Sequence, residues 1–206
     1  MPTKPERPYC DHCQRPLRTC LCRWVAPLTN LAEVIILQHP LETHNPKNTA
    51  RLLHMSLHKS EMFEGEQFAD DFLATLLSRG SKTNLLLYPP TPAEDSPQLI
   101  APAPLPPLPQ PEQIRLIVID GTWRKSRKML YLNPLLQGLP RMSLADCPPS
   151  AYTAIRKAQK DNQLSTLEAS CYALQQLEHS RVDYAPLLAA FEGFVRQQQA
   201  FMPPRH

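Results

Sequence analysis

IRLIVID (Ile114–Asp120) runs without a break into GTWRKSRKML (Gly121–Leu130). The first stretch is a nearly continuous apolar run, the pattern of a strand covered on both faces in a parallel sheet. Its last residue, Asp120, is an acid at the C-terminal end of such a strand, where α/β sheets open their ligand crevice. Gly121 permits a tight backbone turn, and Thr122 is suited to cap the helix that follows. Arg124, Lys125, Arg127 and Lys128 then place cations within about one and a half helical turns, with Trp123 beside them as a stacking surface. Two readings stay open at this point. One is a strand end followed by a solvated basic helix; the other is an RNA-contacting lip around a reactive carboxylate.

The same character recurs outward from this stretch. EVIILQ (Glu33–Gln38) and LLLY (Leu85–Tyr88) read as buried strands, and RMSLA (Arg141–Ala145) as a weaker one. Helical segments fall between them. Asn45 and Pro46 supply an N-cap and a first-turn proline for a helix through Leu57. Phe68 to Ser78 has helical spacing and ends at Gly80, a C-cap signal. LSTLEASCYALQQLEH (164–179) carries Ser165 and Glu168 in a capping-box pattern, and a last helix is expected from Ala185 to Ala200. The Met and Leu residues of RLLHMSLHKSEMF (51–63) read as core packing. Strands alternating with helices give an α/β fold with a mostly parallel sheet flanked by helices. Ten prolines between Pro89 and Pro111 mark an extended surface excursion between two strands.

Composition narrows the function. At 206 residues the chain fits one domain with a small appendage. It has no apolar run of the ~20 residues needed to span a bilayer, and MPTKPERPYCDHC at the N-terminus has no apolar signal core. The expectation is a cytoplasmic protein without a membrane partner, in which six cysteines are not a disulfide framework. A net charge of +3 is compatible with a nucleic-acid partner without demanding one. The chain has 24 prolines and only five glycines, scattered singly. They assemble neither G-x-G-x-x-G nor a P-loop, so any nucleotide-like cofactor is held by another kind of loop.

Cys10, Cys13, Cys20 and Cys22 are spaced C-x2-C-x6-C-x1-C. Four thiolates from one short segment close a tetrahedral Zn2+ site, and the metal stands in for a core too small to fold alone. Residues 1–26 are therefore read as a zinc knuckle and 27–206 as the main domain. Four protein ligands leave no open position, so the metal is structural. Reduced, unliganded thiols or a redox pair are the alternatives, with His12 as a possible replacement ligand. His39, His44, His54 and His58 are taken as solvent-exposed, and Cys147 and Cys171 as ordinary buried thiols.

Asp120-Gly121-Thr122-Trp123 resembles the defining motif of DTW-domain proteins. Around it, in the family's order, stand the cysteine knuckle, QHPLETHNPKNTARL (38–52), LLLYP (85–89), IDGTWRKSRKM (119–129) and PSAYTAIRKAQKDNQLSTLEA (148–169). The resemblance covers nearly the whole chain. It implies a tRNA-uridine aminocarboxypropyltransferase with a SPOUT-like, knotted fold. Such enzymes move the 3-amino-3-carboxypropyl group of S-adenosylmethionine to N3 of a tRNA uridine, in the variable loop in bacterial members, and release 5′-methylthioadenosine. A SPOUT-type methyltransferase using the same cofactor and a non-catalytic zinc-containing RNA-binding protein are the competing readings.

Uridine N3 must lose a proton as the carbon–nitrogen bond forms. Asp120 is the candidate base, with orienting the substrate or the donor's amino group as its alternative role. By resemblance, the cofactor slot is lined by Leu87, Tyr88 and Pro89, by Asp120, Gly121, Thr122 and Trp123, and by Ser165, Thr166 and Glu168. Ser165 and Thr166 open a helix whose N-terminal N–H groups suit a carboxylate. Glu168 is a capping-box partner, a cofactor ligand, or both. Ser150, Tyr152 and Arg156 complete the pocket or the RNA side. Lys47, Arg51, Arg124, Lys125, Arg127 and Arg156 are the candidate RNA contacts. The oligomeric state is left open, with a monomer compatible.

Overall fold

The computed structural model describes residues 8–89, 99–144, 150 and 164–201. Five strands form one sheet: β1 (Glu33–Gln38), β2 (Ser60–Glu64), β3 (Thr83–Leu87), β4 (Ile114–Asp120) and β5 (Arg141–Met142). Their order across the sheet is β2-β1-β4-β3-β5, and every pairing is parallel. β4 lies at the centre and is buried along its whole length, which is why its sequence shows no alternation. Seven helices accompany the sheet among the described residues: α1 (Pro40–Thr43), α2 (Ala50–Ser56), α3 (Asp70–Ser78), α4 (Trp123–Leu132), α5 (Pro134–Gln137), α6 (Thr166–Leu177) and α7 (Ala185–Gln199).

Side-chain alternation along the strands divides the core into two layers. Val34, Ile36, Leu85, Leu116 and Val118 face α2, α6 and α7 in one cluster. Ile35, Leu37, Leu86, Ile117 and Ile119 face α3, α4 and α5 in the other. No helix among the described residues is long and apolar enough to cross a membrane.

The expected strands and helices are present, with corrections. β2 was not foreseen: SEMFE is half-buried from Ser60 to Phe63 and exposed at Glu64, as befits an edge strand, and carries no clean period-2 signal. The helix expected from Asn45 through Leu57 is the shorter α2, and α1, upstream of Asn45, was not foreseen. His39 caps α1, its Nδ1 accepting from Leu41 N at 3.1 Å. Asn45 Oδ1 instead accepts from Lys47 N at 3.0 Å, a local turn that wins over helix entry, and α2 starts only at Ala50. The imidazole of His39 is buried and bonds Glu66 at 2.9 Å, and His54 bonds Ser60, so these two are not solvent-exposed as expected; His44 and His58 are. RMSLA contributes only Arg141–Met142 to the sheet, and Cys147 lies outside the described residues.

At the opposite end of the sheet, Arg115 is 1% exposed. Its guanidinium pairs with Glu33 at 3.1 Å and donates to the carbonyls of Leu76 (2.7 Å) and Arg79 (2.5 Å). Burial pushes the Glu33 carboxyl upward, but the Lys82 hydrogen bond and the Arg115 and Lys82 charges hold it below its ordinary value. Arg115→Ala is expected to lower the unfolding free energy by about 3–5 kcal/mol, because it strands buried carbonyls and one side of an ion pair. Urea denaturation of the variant measures this.

The cysteine segment is joined to this core. Cys13 and Leu21 are fully buried in the same cluster as Phe191 and Phe194 of α7. Trp24 Nε1 donates to Gln197, and its ring lies so close to Gly193 that a methyl group there would overlap it at 2.1 Å. Arg15 stacks on Phe194 at 5.3 Å and donates to the carbonyls of Asn45 and Pro46. The segment thus clamps the loop between α1 and α2.

Candidate functional site

β1 and β4 end side by side, with Gln38 in register opposite Asp120. His39 N donates to the Asp120 carbonyl at 2.9 Å, continuing the parallel ladder to the residue that caps α1. The Asp120 side chain is 5% exposed and receives three donors. Gln38 Nε2 and Asn48 Nδ2 both donate to Oδ2, at 2.9 and 2.8 Å, and Thr166 Oγ1 donates to Oδ1 at 2.6 Å. Since a carboxylate only accepts, the two amides must present nitrogen to it. Burial raises the proton affinity of Asp120; the three hydrogen bonds oppose this, and Glu42 adds to it. The site therefore holds a carboxylate whose protonation is poised by its surroundings, with Oδ2 saturated and Oδ1 carrying one donor.

Thr166 is the first residue of α6, so the positive end of that helix faces Asp120. The capping box is present: Ser165 Oγ accepts from Glu168 N at 3.2 Å, and Glu168 Oε2 accepts from Ser165 N at 2.8 Å and from Ser150 Oγ at 2.6 Å. Leu167 N donates to Thr49 Oγ1 at 3.4 Å. The N–H groups of Leu167 and Glu168 are thus used within the protein.

Gly121 does not need a left-handed backbone; it needs room. A methyl group there would lie 3.2 Å from Lys125 Cβ and 3.4 Å from Ser126 N, because the first turn of α4 folds back over it. Thr122 caps α4 by accepting from Lys125 N at 3.3 Å. Trp123 is half exposed and meets the buried Tyr88 edge-on, with centroids 5.8 Å apart. Leu87 ends β3 half-buried, and Pro89 is exposed.

The cations divide. Lys125 Nζ pairs with Glu42 at 2.7 Å and Lys128 Nζ with Glu66 at 2.7 Å, so these two tie α4 to α1 and to the loop after β2. Arg124 and Arg127 are exposed. Lys47 and Arg51 are half-buried on the other side of Asn48. There a pocket is lined by Thr43, Asn48 and Arg51, with Cys13, Gln14 and Arg15 of the cysteine segment as one wall. The Arg51 Nε and Thr43 Oγ1 atoms are buried without a hydrogen-bond partner. Tyr152 and Arg156 lie outside the described residues. Sequence reasoning did not single out Gln38. Its signal was a polar residue closing an apolar run, in the position matching Asp120.

The four sulfurs of Cys10, Cys13, Cys20 and Cys22 lie within 4.8 Å of one another and form a group able to hold a metal ion. Cys10 and Cys22 are 3.6 Å apart and Cys13 and Cys20 3.7 Å, close to the ~3.8 Å edge of a tetrahedron with 2.3 Å metal–sulfur bonds. Without a cation the thiols oppose one another's ionisation. Backbone N–H groups of Cys13 and His12 bring Cys10 down to about 6, while burial and the neighbouring thiols push Cys22 up to about 12.

The chain is 31% identical over 202 residues to tRNA-uridine aminocarboxypropyltransferase 2 of Macaca fascicularis, covering 94% of this chain and 65% of that protein. The Mus musculus protein of the same name is 32% identical over 193 residues, with coverages of 91% and 62%. tRNA-uridine aminocarboxypropyltransferase A of Arabidopsis thaliana is 26% identical over 221 residues, with coverages of 96% and 83%. The chain thus spans less than two thirds of the length of the two mammalian relatives. No solved structure gives a significant match. The model of the DTW domain matches residues 7–199, which include the cysteine cluster, Asp120 with its three donors and the α6 N-terminus: the chain belongs to the DTW-domain family.

Proposed function

We propose that the protein transfers the 3-amino-3-carboxypropyl group of S-adenosylmethionine to N3 of a tRNA uridine, releasing 5′-methylthioadenosine. The observation that carries this reading is the buried Asp120 carboxylate, held by Gln38, Asn48 and Thr166 at the strand end that opens the DTW motif. The names of the relatives support the reaction and the tRNA substrate. The strand order and the α6 N-terminus seated on the end of β4 support a SPOUT-related, knotted topology. The sulfur geometry supports Zn2+ in the cysteine site.

The donor's sulfonium supplies an electrophilic carbon, so the protein has to position two reactants and accept one proton. Asp120 takes the N3 proton on Oδ1, the oxygen with one donor, as the N3–carbon bond forms and the carbon–sulfur pair returns to sulfur. Gln38 and Asn48 hold the carboxylate plane fixed through Oδ2. Thr166 and the α6 dipole favour its ionised form against the burial that raises its proton affinity. Tyr88 and Trp123 present aromatic surface to the adenine or to the target base. Arg51, with its buried unpartnered Nε, Lys47, Arg124 and Arg127 meet the RNA backbone on either side.

Two labelled donors test the reaction class. With label in the donor's carboxyl carbon, radioactivity is expected in tRNA; with label in the methyl group, it is expected in the small-molecule by-product. The reverse partition contradicts the reading in favour of methyl transfer, and label in neither contradicts catalysis.

A further inference from the structure

Among the described residues, Arg141 is a cation beside the DTW motif that none of these roles uses. It lies on the short edge strand β5, in register with Leu86 of β3. Its guanidinium carbon sits 5.1 Å from the centre of the Tyr88 ring, and Tyr88 in turn meets Trp123 of the DTW motif. Its Nε and Nη1 atoms are buried and have no hydrogen-bond partner. Among the described residues it forms no ion pair. Burial works against its charge, opposed by the neighbouring phenol. Arg141 as a whole is half-buried, but guanidinium nitrogens buried with unmade hydrogen bonds are costly and persist where an anion completes them.

We propose that Arg141 anchors the α-carboxylate of the donor's amino-acid chain. This rests on the aminocarboxypropyl reading given above. Three observations select a small carboxylate over a backbone phosphate. The orphan nitrogens are buried, whereas a phosphodiester stays at the surface of the RNA. The aromatic pair beside them, Tyr88 just after β3 and Trp123 opening α4, stands at the C-terminal edge of the sheet. The alternative anchor, the N-terminus of α6, already faces the Asp120 carboxylate, and its Leu167 and Glu168 N–H groups bond Thr49 and Ser165. Holding the carboxyl end matters for this reaction in particular, because that chain is the group that travels.

The test is a calorimetric titration of the full chain, Arg141→Met and Arg141→Lys with S-adenosylhomocysteine and with methylthioadenosine. The two ligands share the nucleoside thioether, but only the first carries the carboxylate. Arg141→Met is expected to weaken S-adenosylhomocysteine about 10- to 100-fold, the range for a lost charge-assisted hydrogen bond, with methylthioadenosine unchanged. Arg141→Lys is expected to fall between the two, on the same ligand only. Unchanged methylthioadenosine binding itself reports an intact slot. Equal weakening of both ligands overturns the proposal in favour of a packing role. Unchanged S-adenosylhomocysteine binding also overturns it; if tRNA affinity falls instead, with a salt dependence shallower by about one phosphate, Arg141 is an RNA contact. If the unmutated chain binds neither small molecule, the donor assignment itself fails and the proposal with it.

Discussion

Asp120→Asn is expected to lower the transfer rate by about 10²- to 10⁴-fold, the usual share of a positioned base, while leaving the fold at least as stable as before. An asparagine fits the same network: its carbonyl oxygen takes the place of Oδ2 and accepts from Gln38 and Asn48. Its NH2 then replaces Oδ1 and donates to Thr166, whose hydroxyl rotates to accept. What is lost is the charge and the proton-accepting atom. The sign of the stability change follows from burial, which raises the affinity of Asp120 for its proton in the folded state. Such a group stabilises the fold below its unfolded value, 3.8, and that contribution is lost as pH rises through the raised folded value. The melting temperature of the variant is therefore expected to match the wild type in acid and to exceed it increasingly toward neutrality. Transfer by the wild type is expected to fall as pH drops through the same raised value. A variant that melts far below wild type at neutral pH assigns Asp120 to scaffolding, and one that retains full rate removes it as the base.

Loss of the Zn2+ proposed for the four-cysteine site is the second large effect expected. Cys13 is fully buried in the core cluster that includes Phe191 and Phe194, and the segment holding it also carries Leu21, Trp24 and Arg15. Without a cation joining the four sulfurs, the segment's own regular structure among the described residues is a Tyr9–Pro16 bridge and two single 3-10 turns, and its packing on α7 depends on that short scaffold keeping its shape. Cys13→Ser is expected to lower the melting temperature by roughly 10–20 °C, from about 5 kcal/mol at 2–4 °C per kcal/mol for a chain of this size. Bound zinc, measured by atomic emission, is expected to fall from one per chain to none. Because Arg15 clamps the Asn45–Pro46 loop that leads to Asn48, the surviving fold should also bind tRNA less well. A wild-type protein that purifies without metal and whose melting is indifferent to chelator contradicts this.

The parts of the molecule legible in the sequence are those whose physics is local. β4 and its turn were readable because a strand buried on both faces is continuously apolar, and the capping box because its two side chains lie three residues apart. β2 escaped because an edge strand half-buried on both sides has no period of its own, and it follows helical spacing. The entry at Asn45 misled because an asparagine serves a tight turn as well as a helix cap. The surroundings of Asp120 were hidden for a different reason. Gln38 and Asn48 are 82 and 72 positions away; the parallel pairing of β1 with β4 brings the first to the carboxylate, and the loop between α1 and α2 folding over the strand ends brings the second. Arg141 was likewise silent until β5 placed it on Tyr88.

The account stands most directly on the identity of the modified nucleoside. Unmodified tRNA incubated with the protein and S-adenosylmethionine, then digested to nucleosides for mass spectrometry, is expected to contain uridine carrying the aminocarboxypropyl group on N3. A methylated nucleoside in its place, or uridine unchanged while the protein holds both tRNA and donor, contradicts it.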